Sequence, residues 1–338
     1  MRALHLTLLL SFLMSPVCIP AFEFMHFKIN TDDINFLYSI IPHFLEDTWN
    51  TDWVTYDTAG LEADLEKKLF GQHVASKVIL KAVTSLIKNP NRKKPLVLSL
   101  HGSAGTGKNF ISQLIATNLY KIGMKSSFVH QFVTTLHFPH SSKVQTYMAQ
   151  LQQWIQGNVT SRPQSMFIFD EMDKMHPVLI DSIKPFLDYY EYLNGVSYRQ
   201  AIFIFLSNAG GEKINEVAWQ FWKEGKERLS IQLEDLETSL SNELFSNKNS
   251  GFWHTSLIDK NLVDFFIPLL PLEHKHVQMC VLAEMEERNL KPDEKVVNDI
   301  VSNTTYFPKE ENIFSVKGCK AIGAKIDYYT KEEVGNGG

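Results

Sequence analysis

The run Gly102-Ser103-Ala104-Gly105-Thr106-Gly107-Lys108 has the form G-x-x-x-x-G-K and follows directly on the apolar stretch Leu96-Val97-Leu98-Ser99-Leu100. The spacing has a physical reason. Glycines let the backbone curl so that successive N–H groups face one anion, Lys108 reaches its outer charges, and a following helix adds the positive end of its dipole. That helix is legible: Phe110, Ile111, Leu114, Ile115 and Leu119 recur with the offsets of one helical face. Strand, loop and helix in this order predict a phosphate-binding loop in an α/β fold with a parallel sheet flanked by helices. Gly102, Ser103, Ala104, Gly105, Thr106, Gly107, Lys108 and Asn109 form the predicted nucleotide-binding set. Asn109 departs from the pattern. Ser or Thr usually stands there and ligates Mg²⁺ through its hydroxyl, so a carboxamide implies a different approach to the metal.

Phosphate binding alone cleaves nothing. Met166-Phe167-Ile168-Phe169-Asp170-Glu171 reads as a buried strand ending in two carboxylates, at the edge where open α/β sheets bind ligands. Asp170 is placed to hold Mg²⁺ through its water shell together with Asn109, and Glu171 to polarise the attacking water. A further buried strand, Ala201 to Ser207, delivers Asn208 to the same edge, where it suits orienting water or touching a γ-phosphate. ATP and Mg²⁺ are therefore the expected ligands.

A net charge of −5 with dispersed Lys and Arg leaves no basic footprint for nucleic acid. The length allows about two domains. Arg2, the apolar run Leu4 to Leu13 and the small residues up to Ala21 read as a secretory signal over residues 1–21. A retained anchor is the alternative, but the next apolar stretch, Ile34 to Ile41, falls short of the about 20 residues a spanning helix needs. In a secretory chain the sequons at Asn158 and Asn303 become glycan acceptors, Asn158 preferred as part of a polar linker. Of three cysteines Cys18 leaves with the signal or sits at its edge, so Cys280 and Cys319 remain as a disulfide or two buried thiols. His137, His140, His274 and His276 lack metal-ligand spacing and read as surface or capping groups.

Residues 22–60 are aromatic and irregular, and residues 61–271 form the expected nucleotide-binding domain. Within it, two helices flank Phe70-Gly71-Gln72-His73, Phe128 to Phe132 is a second strand, Leu136 to Pro139 a loop, and Pro177 to Tyr192 a helix. Asn247 to Gly251 reads as a loop. Residues 272–330 read as a wholly helical lid, and 331–338 as a flexible tail.

The order of loop, Phe-Asp-Glu strand and Ser-Asn strand resembles AAA+ ATPases of the Clp-like branch. The words GSAGTGKN, FIFDEMDKMH, IKPFLDYY, FLSNAGG, NKNSGFWHTSLID, PLEHKH and Lys317-Gly318-Cys319-Lys320 are similar to the torsin family, most of all its torsin A and torsin B subgroup. The resemblance covers roughly residues 60–330. It implies that Asn208 is the first sensor, Lys320 the second, and that the Gly71-Gln72 word lines the adenine pocket. It implies that residues 22–60 are an N-terminal hydrophobic, membrane-associating segment, and that the chain forms a homo- or hetero-oligomer at the luminal membrane face of the endoplasmic reticulum and nuclear envelope (perinuclear space). There, luminal domains of membrane-tethered activators stimulate it. It also favours a bond between Cys280 and Cys319 that couples redox state to ATP binding beside Lys320.

One absence sharpens this expectation. Ring-forming relatives supply an arginine to the neighbour's γ-phosphate, yet no arginine stands between Leu229 and Glu287, and Lys260 is a poor substitute. The expected activity is thus a remodelling ATPase, slow alone, with a partner supplying the finger. The competing reading is a nucleotide-gated binding module or scaffold with incidental hydrolysis. A secreted hydrolase of another kind lacks a nucleophile motif such as G-x-S-x-G.

Overall fold

The computed structural model describes residues 53–246 and 261–335. The signal, the Ile34 to Ile41 stretch, Lys260 and the loop at Asn247 to Gly251 lie outside the described residues.

Apolar strands alternate strictly between two buried faces, which dictates a sheet covered on both sides. The strands β1 (Leu96–His101), β2 (Val129–Val133), β3 (Met166–Asp170), β4 (Ile202–Ser207) and β5 (Phe265–Pro268) pair in parallel in the order β2-β3-β4-β1-β5. Met166, Ile168, Ile202, Ile204, Leu96, Leu98 and Leu100 point to one face. They meet α1 (Thr58–Lys68), α2 (His73–Lys88) and α3 (Lys108–Leu119) through Leu61, Leu65, Ile79, Val83, Ile111 and Ile115. Val97, Phe167, Phe169, Phe203 and Phe205 point the other way, toward α5 (Val144–Ser161), α6 (Pro177–Leu187), α7 (Gly211–Lys223) and α8 (Glu234–Ser246). Phenylalanines stack from strand to strand on that face, Phe167 on Phe203 at 5.1 Å and Phe132 on Phe169 at 5.2 Å between ring centres. Such cross-strand aromatic pairs fix the register, because a slip of one residue would turn each ring to the opposite face.

A smaller unit with its own core follows: α9 (His274–Glu287), α10 (Glu294–Ser302) and α11 (Ile322–Gly335) close over Val277, Val281, Met285, Val297, Ile300 and Ile326. It is not wholly helical, since Tyr306–Phe307 (β6) and Phe314–Ser315 (β7) pair antiparallel between α10 and α11. Its last helix runs on to Gly335, into the stretch read as tail.

Other boundaries shift for local reasons. The helix predicted over 177–192 runs through Pro185 and stops at Leu187, where Asp188 turns to extended backbone at ψ 173°. The chain then turns through Asn194 and Gly195, both at positive φ, as a tight turn requires. Thr134–His137 forms a short helix, α4, in place of the expected loop. Asn158 sits within α5 rather than in a linker, its side-chain amide donating to the Trp154 carbonyl at 2.8 Å. Asn303 is exposed at the C-terminal cap of α10. Trp53 is buried and Val54 bridges to Tyr120, so the chain joins the large unit ahead of residue 61.

Candidate nucleotide-binding site

The loop between β1 and α3 is built by glycines at the points where no side chain is tolerated. Gly105 and Gly107 have φ of 78° and 111°, which L side chains rarely adopt. A Cβ on Gly105 would also strike the Lys317 carbonyl oxygen. The curl leads straight into α3, whose first residue is Lys108, so the loop and the positive end of the helix dipole face one spot.

Lys108 is 8 % exposed, and its Nζ donates to the carbonyls of Gly102 (2.6 Å) and Ser103 (3.0 Å) and to Oδ1 of Asn208 (2.9 Å). These partners are neutral. Burial therefore pushes the ammonium down to about 8, against the pull of Asp173 and Asp170 and with a further push from Lys320. A buried cation held by neutral dipoles suits an incoming polyanion.

The predicted carboxylates arrive at the same edge. Asp170 Oδ2 accepts from Nδ2 of Asn109 at 2.6 Å, and Asp170 Oδ1 accepts from the Glu171 backbone at 2.8 Å. This amide orientation leaves the Asn109 carbonyl oxygen and the carboxylate as a hard oxygen pair, a set that fits Mg²⁺ sharing its shell with waters and phosphates. Glu171 stands at φ 57°, with Oε1 accepting from Lys174 Nζ at 2.6 Å and Oε2 from the Thr135 hydroxyl. Those two hydrogen bonds hold its carboxyl below the usual range, so it is ionised at neutral pH. Asn208 is placed beside Lys108 by its own backbone N–H, which donates to Asp173 Oδ1 at 3.0 Å.

A cleft of about 580 Å³ joins these groups to the smaller unit. Its walls include the loop from Ala104 to Asn109, Asp170, Glu171 and Asn208, and on the other side Cys280, Cys319 and Lys320. Cys280 and Cys319 form a disulfide, and the Cys319 N–H donates to the Gly105 carbonyl at 3.1 Å. Gly318 makes this approach possible, because a Cβ there would run into the Gly105 carbonyl. Among the described residues no arginine lines the cleft.

Three expectations change at this level. Phe110, expected on the buried face of α3, is 38 % exposed and lines the cleft. Gln72 does not reach the cleft; Leu69 and Phe70 line it instead. The Gln72 carboxamide is spent on backbone, donating to Thr106 (3.1 Å) and Leu270 (2.8 Å) and accepting from the Leu270 N–H (2.8 Å). His276, read as a surface or capping group, is a cap but a buried one: its Nδ1 accepts from the Glu273 N–H at 3.1 Å, and burial pushes it down to about 4. Sequence reading missed Thr135, Asp173 and Lys174. Asp173 and Lys174 lie in the same short word as Glu171, and that proximity was the available signal.

Family comparison bears on the same segments. The torsin family model matches residues 44–169, which hold the phosphate loop and most of β3. The model of the torsin-1A C-terminal domain matches residues 272–329. The chain belongs to the torsin family of AAA+ ATPases. Among solved structures it is similar to the S. cerevisiae Hsp104–ADP complex, at 18 % identity and a TM-score of 0.57, over 90 % of this chain and 51 % of that one. It is likewise similar to closed-state Hsp104 with ATPγS and FITC casein, at 15 % identity and a TM-score of 0.58, over 91 % and 52 %. At those identities the likeness shows the AAA+ fold, and this torsin chain spans about half the length of the Hsp104 chains. Among the described residues no helix is long and apolar enough to cross a membrane.

Proposed function

We propose that this torsin-family protein is an ATP-driven remodelling enzyme of the endoplasmic reticulum lumen and nuclear envelope, weak alone and activated by a membrane-tethered luminal partner. The observation that carries the reading is the convergence of Lys108, Asp170, Glu171 and Asn208 on one cleft edge, from the phosphate loop and the ends of two neighbouring strands. Lys108 and the glycine loop bind the phosphates. Asp170 and Asn109 would hold Mg²⁺, which supplies charge neutralisation at the β- and γ-phosphates. Glu171 takes the water's proton, Asn208 positions the reacting groups, and Lys320 closes the cleft from the lid.

The activator requirement rests on a missing cation. Of the arginines that flank the arginine-free stretch, Arg228 is buried against Gly71 and Glu273, and Arg288 is paired at the surface with Glu284 and Asp327. An arginine for the transition state must then come from a second molecule, in a homo- or hetero-oligomer. The Cys280–Cys319 disulfide couples redox state to nucleotide affinity in this reading, through Cys319's bond to Gly105. Luminal residence rests on the N-terminal signal and the sequons at Asn158 and Asn303.

A second reading, a nucleotide-gated binding module, is favoured by Asn109 standing where a hydroxyl usually serves the metal. Two variants test the pair. Lys108→Ala should abolish ATP binding by calorimetry, and Glu171→Gln should keep binding while stopping turnover. Unchanged turnover in Glu171→Gln would leave the module reading standing.

A further inference from the structure

The lid meets the phosphate loop at a second place, on the far side of the turn that joins α1 to α2. That turn, Leu69 to Gln72, presents Leu69 and Phe70 to the nucleotide cleft. Its other side belongs to a separate groove lined by Gly71, Arg228, Glu273 and His276. The Arg228 side chain is 9 % exposed, with Nη2 donating to the Gly71 carbonyl at 2.7 Å and Nη1 to Glu273 Oε1 at 3.3 Å. Glu273 is the N-cap of α9, locked in a reciprocal capping pair with His276. Gly71 has φ 71°, and a Cβ there would meet the His276 ring at 2.9 Å, so lid and turn are in close contact.

The next residue completes the chain of contacts. Gln72 donates to the Thr106 carbonyl inside the phosphate loop and pairs twice with Leu270, just ahead of the lid. Thr106, Gln72, Gly71, Arg228 and Glu273 thus link the loop to the first turn of α9 through hydrogen bonds that are buried or partly buried. Arginine suits the central place: its planar fork reaches the carbonyl and the carboxylate with separate nitrogens, Nη2 and Nη1, held in one fixed geometry. A contiguous chain of packed, hydrogen-bonded groups of this kind is a physical route by which two sites can couple.

We propose that Arg228 is a positioning residue that transmits ATP occupancy of the phosphate loop to the first turn of α9, separately from the Cys280–Cys319 tether lower on the same helix. The proposal rests on the ATP-binding reading above. It differs from mere bracing in making the first turn of α9 respond to nucleotide only through Arg228.

The test is amide hydrogen exchange of the full-length protein with and without saturating ATP and Mg²⁺, read in the first turn of α9 and around Cys280. In the unmodified protein ATP should slow exchange in the first turn by about tenfold, within the span usual for coupled sites. Arg228→Met, with ATP raised until binding saturates, should lose that response while amides near Cys280 keep theirs; Arg228→Lys should restore little of it. Should Arg228→Met fail to fold, the more exposed Glu273→Gln takes its place, with the same loss expected. A first turn that still slows tenfold in whichever variant folds overturns the proposal. So does an unmodified protein whose ATP binding needs Lys108 but leaves α9 unchanged. Absence of ATP binding in the unmodified protein would instead overturn the functional reading beneath it.

Discussion

Lys108 should take up a proton when ATP binds. Burial lowers its ammonium from 10.5 to about 8 in the folded chain, and at about 1.36 kcal/mol per unit this amounts to about 3 kcal/mol held against the charged form. The sign follows from linkage: the folded pKa lies below the unfolded one, so the unfolded state binds more protons between about pH 8 and 10.5. Stability from this group therefore rises with pH across that window, and its penalty is fully present below about pH 8. A triphosphate beside Nζ favours the charged form and raises the pKa again. ATP affinity should then be flat up to about pH 7.5 and fall above pH 8, by up to about tenfold per unit. Calorimetry in buffers of different ionisation enthalpy measures the proton directly: uptake should be absent below about pH 7, half-developed near pH 8 and largest above it. Affinity that stays level from about pH 7 to 9.5, or a net release of protons, would refute the argument that this cation awaits an anion.

Other outcomes follow from the same geometry. Gly318→Ala should push the Lys317–Lys320 turn off the phosphate loop, since its methyl would meet the Gly105 carbonyl; ATP affinity should drop at least tenfold by calorimetry while the far-ultraviolet spectrum is kept. Reduction of Cys280–Cys319 should change ATP or ADP affinity, and Cys319→Ser should make affinity indifferent to reductant; equal affinities in oxidised and reduced wild type would leave the bond a structural staple. Glu171→Gln should accumulate an ATP-bound complex with the activator, visible by size-exclusion chromatography, because binding survives and water activation does not.

The sheet was legible because its strands are apolar on both faces. Leu96 to Leu100, Met166 to Phe169 and Ile202 to Leu206 are runs that only a doubly covered parallel sheet can bury. The loop, Asp170, Glu171 and Asn208 were legible because they sit at the ends of those runs. Lid details were not: β6 and β7 are two residues each and carry no periodicity. Gln72 misled for a different reason. The family resemblance implies that the Gly71-Gln72 word lines the adenine pocket, and only three dimensions show the Gln72 carboxamide consumed by Thr106 and Leu270. Thr135 and Lys174 escaped because a hydroxyl and a surface lysine have no pattern until Glu171's orientation is known.

The central claim is that this protein hydrolyses ATP only when a partner completes the site. The direct measurement is steady-state ATP turnover of the full-length protein alone, with a luminal activator domain, and with that domain carrying its cleft-facing arginine replaced by alanine. Turnover should be very slow alone, rise by roughly 10³-fold or more with the intact partner, in line with what an arginine finger contributes, and fall back with the alanine variant although the complex still forms. Fast turnover by the protein alone, or full stimulation by a partner lacking every arginine on its docking face, would contradict the account.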